Sequence, residues 1–235
     1  MKQICLLMMV CLFGACTQSA YRLPYPDGTS VQVITDDTTH STPVARMYDF
    51  RAPQPGTALV AAKAGWVRFI KESGTSGSAT NNYLWIEHPL DYCQPAGSTP
   101  PGNGGLASTC RECARGLGRC NEWSAYVHMV QNSVSAAGIE VGQWVTAGQA
   151  LGTEGDVGFA DCGGSTDPDC ARHGHFHIWT MTEATLQGSK TPNDNGDYEI
   201  YWENFGREGK IPAFCTPNGL RRAKAGQTLV AAPCS

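Results

Sequence analysis

Arg172-His173-Gly174-His175-Phe176-His177-Ile178-Trp179 places three of the chain's six histidines at alternate positions. Side chains on a β-strand alternate between faces, so His173, His175 and His177 share one face while Gly174, Phe176 and Ile178 share the other. Neutral imidazole is the commonest zinc ligand and titrates near neutrality, so imidazoles that converge imply a metal site or a proton-transfer site. A polar strand face in water accounts for the His-x-His spacing equally well. The rest of the chain has to decide between these readings.

Two residues far upstream bear on it. His40 sits in Thr38-Thr39-His40-Ser41-Thr42, and Asp49 follows in Met47-Tyr48-Asp49-Phe50. Read singly, a loop histidine is solvated and an aspartate beside phenylalanine is a buried acceptor or an edge charge. Together with the histidine strand they supply two imidazoles and a carboxylate. Three protein ligands with one open position is how catalytic zinc is held, whereas structural zinc is closed by four. The His-Glu-x-x-His helix of other zinc peptidases is absent, so a glutamate of that motif does no acid–base work here.

The elements that must position these residues read as short strands. Residues 31–35, 46–50, 58–61, 65–70, 83–88 and 124–129 carry β-branched and aromatic side chains between Gly, Pro, Asn and Ser. Residues 142–152 add apolar positions between turn-forming glycines, and two strand-like pieces follow at 198–202 and 227–231. No window shows a sustained 3.6-residue period. The expectation is an all-β fold, a compact antiparallel sheet with a groove. Residues 89–121 and 159–171 interrupt it with Gly, Pro and Cys and read as stapled insertions. The 142–152 pattern also occurs in lipoyl and biotinyl carriers, but no lysine lies between Lys71 and Lys190 to carry the group.

Residues 1–15 hold one lysine and an apolar run too short to span a bilayer, as in an export signal. Leu12-Phe13-Gly14-Ala15-Cys16 reads as a bacterial lipobox that would leave a lipid on Cys16; cleavage near Ala20 is the other possibility. Localisation is then a periplasmic or envelope lipoprotein, or a secreted protein. The domain reading is signal at 1–15, tether and turn-rich lead-in at 16–30, and one domain at 31–235, including the insertion at 89–121 and an extension at 182–235. Beyond the signal remain Cys93, Cys110, Cys113, Cys120, Cys162, Cys170, Cys215 and Cys234, an even set suited to disulfides, with Cys162 to Cys170 the most local pair. Loss of the signal removes Lys2 and leaves a mildly acidic chain without a basic stripe, which gives no footprint for nucleic acid.

His-x8-Asp-Phe, Tyr-x-His, Val-x-x-Gly-Gln-x-Leu-Gly and His-x-His before a β-branched residue, in that order, resemble the lysostaphin-like, LytM-domain zinc endopeptidases of metallopeptidase family 23. The resemblance runs from about Leu23 to Met181. It implies one zinc held by His40, Asp49 and His177, with His128 and His175 as catalytic histidines. A second register, with His173 and His175 as the pair, sets Gly174 where the family has a bulky apolar residue, and on that ground His175 and His177 are preferred. His173 is then a groove-lining or solvated residue, and His88 a solvated strand end. The resemblance further implies hydrolysis of peptidoglycan peptides; the oligomeric state is open, with a monomer favoured. Compartment favours a DD-endopeptidase. A non-catalytic regulator of a wall amidase and a secreted glycyl-glycine endopeptidase are the alternatives.

Overall fold

The computed structural model describes residues 20–39, 47–76, 80–89, 121–158, 171–181 and 212–234. His40, residues 1–19 with Cys16, most of both cysteine-bearing insertions and the expected strand at 198–202 lie outside them. The described residues form strands β1 (Ala20–Arg22), β2 (Ser30–Thr35), β3 (Met47–Arg51), β4 (Ala58–Val60), β5 (Gly65–Lys71), β6 (Tyr83–Pro89), β7 (Asn121–Val127), β8 (Trp144–Val145), β9 (Ala150–Thr153), β10 (Gly174–Met181), β11 (Ala213–Thr216), β12 (Gly219–Arg221) and β13 (Thr228–Val230). One helical turn, α1 (Ser133–Ala136), is the only helix among them. The all-β, antiparallel expectation holds.

Eight strands make one sheet in the order β13-β2-β3-β10-β7-β6-β5-β8, with β1, β11 and β12 in a second sheet and β4 with β9 in a third. Every pairing in the large sheet is antiparallel. The histidine strand β10 lies between β3, which bears Asp49, and β7, which leads into His128.

Alternation fixes which face is which. Tyr48, Phe50, Phe176, Ile178, Tyr126, Leu84 and Ile86 enter the main core with Phe214, whose ring meets Tyr48 and Phe50 edge-on at centroid distances of 5.5 and 5.4 Å. Phe176 and Ile178 are 1% and 0% exposed, and burial of each side chain stabilises the fold by about 1.5–3 kcal/mol. That apolar anchor holds the intervening histidines on the opposite face.

The lead-in is part of this core. Tyr21, Leu23 and Tyr25 are fully buried, β1 pairs in parallel with β11, and Arg22 N–H donates to the Ala62 carbonyl at 3.0 Å. Tyr-x-Leu-x-Tyr is itself a period-two pattern, hidden in the sequence by the neighbouring Pro and Gly. Cys215 and Cys234 form a disulfide that ties β11 to the segment after β13; Cys162 and Cys170 lie outside the described residues.

His88 corrects an expectation. It is fully buried on the core face, with Nδ1 2.9 Å from the Ala64 carbonyl and Nε2 2.8 Å from Ser124 Oγ. β6 continues to Pro89, so the residue is not a strand end in solvent, and paired strands enclose it.

Candidate metal centre and catalytic face

Register places the chemistry. Across β3 and β10, His175 stands opposite Asp49 and His177 opposite Met47; across β7, His175 meets Val127 and His177 meets Ala125. Asp49, His175 and His177 therefore share a face with Met47, Ala125, Val127, Trp123, Trp85 and Tyr83, which form a second apolar cluster. His177 is fully buried one residue pair away from Asp49.

Asp49 is the hub. Thr35 Oγ1 donates to its Oδ2 at 2.6 Å and fixes the carboxylate plane, while Oδ1 faces His175 Nδ1 at 3.1 Å and His173 Nε2 at 3.5 Å. Thr35 comes opposite Asp49 through a bulge in β2 between Val33 and Thr35. His173 was expected to line a groove or face solvent. The structure brings it to the carboxylate, in a bridge to Gly155 just before β10, with Nδ1 2.9 Å from the Ala171 carbonyl. A carbonyl can only accept, so Nδ1 carries a hydrogen, and Nε2 is the nitrogen turned towards Asp49.

His128 follows β7 with φ of 64°, a left-handed backbone that a non-glycine residue adopts at a cost of about 1–3 kcal/mol. That turn swings its ring to centroid distances of 4.7 Å from His173 and 5.7 Å from His175. Its Nδ1 lies 2.7 Å from the Val157 carbonyl, so Nδ1 again carries a hydrogen. Gly158 makes this approach possible, because a Cβ there would stand 1.5 Å from Asn81 Oδ1 and 3.1 Å from His128 Nδ1. Burial, reinforced by His173 and His175, pushes the His128 pKa down to about 3, so the imidazole is neutral at pH 7.

Behind the face sits a buried ion pair that the sequence reading missed. Glu154, 1% exposed, accepts from Arg172, from Tyr25 Oη at 2.5 Å and from Ala52 N–H at 3.1 Å, and Arg172 donates to the Ala52 carbonyl at 3.1 Å. Glu154 also bridges to Met129, next to His128. The Glu154 carboxylate thus joins the segments that carry Asp49 and His173, and its backbone bridges to the one that carries His128. Burial raises its pKa, against hydrogen bonds from Tyr25, Ala52 and Arg172 that lower it. Its sequence signal was a lone charge in Leu151-Gly152-Thr153-Glu154-Gly155, where alternation gives no reason for one.

Donor chemistry fits a zinc ion. Ligand atoms at about 2.0–2.1 Å around a tetrahedral ion stand roughly 3.4 Å apart, and the carboxylate-to-imidazole separations of 3.1 and 3.5 Å bracket that length. Among the described residues no three imidazole, carboxylate or thiolate groups are arranged to hold a metal ion together, and His40 lies outside them.

No family model and no curated protein matches the sequence. Solved structures do. The likeness is to M23 peptidases. The M23 metalloprotease pseudoalterin from the deep sea is 17% identical with a TM-score of 0.41, over 90% of this chain and 98% of that one. A zinc-containing peptidase from Vibrio cholerae is 19% identical with a TM-score of 0.39, over 69% of this chain. The catalytic domain of the antimicrobial peptidase lysostaphin from Staphylococcus simulans is 20% identical with a TM-score of 0.32, over 70% of this chain and 80% of that one. This chain spans 37% of the Vibrio cholerae peptidase and 45% of an M23 peptidase from Pseudomonas aeruginosa.

Proposed function

We propose that this chain is an exported zinc endopeptidase that hydrolyses peptide cross-links of bacterial peptidoglycan, acting as a DD-endopeptidase. The observation that carries the reading is one carboxylate, Asp49, faced by two imidazoles at 3.1 and 3.5 Å, with a third, neutral imidazole against them. A regulator without chemistry has no need of such a constellation.

Two registers compete for the strand ligand. The resemblance gave His40, Asp49 and His177 as ligands, with His128 and His175 catalytic. Proximity favours moving the histidine pair by one step, so that His40, Asp49 and His175 hold zinc while His173 and His128 handle protons. The packing objection to this register also weakens. Gly174 leaves no room for a bulky residue, since a Cβ there would stand 2.7 Å from Tyr25 Oη and 3.2 Å from Leu59 Cδ2, and those side chains already fill the space.

Zinc bound there would polarise the scissile carbonyl and lower the pKa of water towards about 7. Nε2 of His128 and of His173, aligned by the Val157 and Ala171 carbonyls, can take the water's proton and return one to the leaving amine. Once protonated, the same groups donate hydrogen bonds to negative charge developing on the carbonyl oxygen.

Digestion of purified sacculi tests the reaction. Mass spectrometry should show cross-linked dimers converted to monomers, with a chelator abolishing the conversion. Cleavage of pentaglycine with dimers intact would replace the substrate, and cleavage of neither by zinc-loaded protein would return the regulator. Metal content per chain tests the register. Asp49→Ala and His175→Ala should lose zinc, while His173→Ala and His177→Ala keep it. Zinc loss in His177→Ala with retention in His175→Ala restores the original assignment.

A further inference from the structure

Residues 212–234 lie beyond the stretch that carries the family resemblance, yet they reach the surroundings of Asp49 by two routes. On the core face, Phe214 of β11 packs edge-on against Tyr48 and Phe50, the chain neighbours of Asp49 on β3. At the end of β2, the turn between β12 and β13 takes hold. Gln227 N–H donates to the Lys224 carbonyl at 3.0 Å and Gly226 has φ of 82°, which makes residues 224–227 a type II turn. Gly226 N–H donates to the Val33 carbonyl at 2.9 Å, Val33 N–H to the Gln227 carbonyl at 2.8 Å, and Ala225 N–H to Asp36 Oδ2 at 3.0 Å. These bonds straddle the bulge in β2 that brings Thr35 opposite Asp49.

Thr35 holds residue 49 at two points. Its Oγ1 donates to Asp49 Oδ2 at 2.6 Å and accepts from Asp49 N–H at 3.2 Å. One residue on, Asp36 is buried, and its Oδ1 accepts from Thr38 Oγ1 at 2.7 Å and from the N–H groups of Thr38 and Thr39 at 2.9 and 3.0 Å. Burial opposes the charge, but the hydrogen bonds from Thr38, Ala225 and Thr39 outweigh it and hold the Asp36 pKa well below the usual carboxylate range. Two acceptor oxygens let one side chain serve both directions. Asp36 thereby ties the chain leaving β2, which runs through Thr39 to His40, to the turn at 224–227.

We propose that Asp36 is a positioning residue for the metal centre, through which residues 212–234 set how tightly Asp49 holds zinc. It acts through Thr35, because fixing the corner after the bulge fixes the hydroxyl that orients the Asp49 carboxylate, and a ligand held in its binding orientation gives up less freedom to the metal. The inference rests on the zinc reading of Asp49 and deepens it, since it assigns a part in metal binding to a segment outside the resemblance.

Chelator competition on the folded protein measures the zinc dissociation constant without turnover. Thr35→Val removes both bonds to residue 49 and should weaken zinc by about 10–100-fold, the usual worth of a partner to a metal ligand, whereas Thr35→Ser keeps the hydroxyl and should stay close to wild type. Asp36→Asn keeps the shape with a single acceptor oxygen, which can serve Thr38 and Thr39 or Ala225 but not both, and should weaken zinc by about tenfold. Ala225→Pro acts from the other end. Proline suits the first central position of a type II turn, so the turn persists, but its ring replaces the N–H that faces Asp36, and zinc should again weaken by about tenfold. Glu72→Gln is the control. The Glu72 carboxylate accepts from the N–H groups of Val134 and Ser135 at 2.6 and 3.1 Å on the α1 turn, so this variant should lower the unfolding midpoint and leave zinc affinity unchanged.

Wild-type affinity in folded Asp36→Asn and Ala225→Pro overturns the proposal. So does an equal weakening of zinc in Glu72→Gln, which would make the effect one of general stability. Retention of zinc by Asp49→Ala removes the ligand reading and the proposal with it. Zinc weakened as expected, in a protein that cleaves no peptide, leaves the positioning role standing and removes the enzyme.

Discussion

The large sheet buries histidines on both faces, and His88 and His128 sit in different surroundings. His88 on the core face and His128 on the catalytic face are 0% and 4% exposed. Burial pushes both pKa values down, to about 4 and about 3. Both direct Nδ1 at a backbone carbonyl. They part at the second nitrogen. Nε2 of His88 is closed by Ser124 Oγ at 2.8 Å, beside the Tyr21 ring, so its hydrogen-bonding capacity is used within the fold. The ring of His128 meets His173 and His175, which converge on Asp49. Burial and a depressed pKa do not by themselves mark a functional imidazole. What the remaining lone pair faces does.

The largest expected effect tests that difference directly. His128→Ala should retain one zinc per chain and lose about 10²–10⁴-fold in kcat/KM, the usual worth of a positioned proton-transfer group. His88→Gln should keep both zinc and activity within a few fold. Comparable losses in the two variants, measured as cleavage rate and metal content at equal folded fraction, would erase the distinction between the faces.

Glu154 gives the next effect, on stability. Glu154→Gln removes the charge paired with the Arg172 guanidinium, 10% exposed at its side chain, and removing one partner of a buried pair costs about 3–5 kcal/mol. Denaturant unfolding should show this as a lower midpoint at unchanged slope. Because the same carboxylate joins the segments of Asp49 and His173, surviving folded enzyme should also lose kcat rather than gain KM. A variant as stable as wild type would make the ion pair ornamental.

The legible part of this molecule is its alternation. Phe176 and Ile178 against His175 and His177 follow from period two alone, and the strands around 31–35, 65–70 and 83–88 were bounded by their turn residues. What the sequence concealed depends on contacts distant in the chain. Gly174 argued against one histidine register until Tyr25 and Leu59, 149 and 115 residues earlier, filled its space. His173 read as a groove-lining or solvated residue because no local pattern says that the Gly155 backbone will hold it beside Asp49. Glu154 and Arg172 were silent because a buried ion pair has no spacing rule. His88 at the end of an apolar run looked solvated, since nothing nearby announced Ser124 as its partner.

His88 also supplies the smallest effect, in which pH separates the two histidines. Its folded pKa of about 4 lies below the ordinary value of 6.5, with burial the largest cause. Between those values the unfolded chain binds more protons than the folded one, so stability rises with pH across that window. The contribution is fully present above about 6.5 and is lost as pH falls towards 4. From pH 7 to pH 5 the loss should be about 2 kcal/mol, at 1.36 kcal/mol for each unit of separation. Other buried groups, His128 among them, titrate in the same direction, so the readout is the difference between two unfolding curves. His88→Gln should be less stable than wild type at pH 7 and should lose less on acidification, so that the gap narrows towards pH 5. Parallel curves would mean that the folded protein accommodates a charged His88, and the core face would then be wetter than its hydrogen bonds to Ala64 and Ser124 imply.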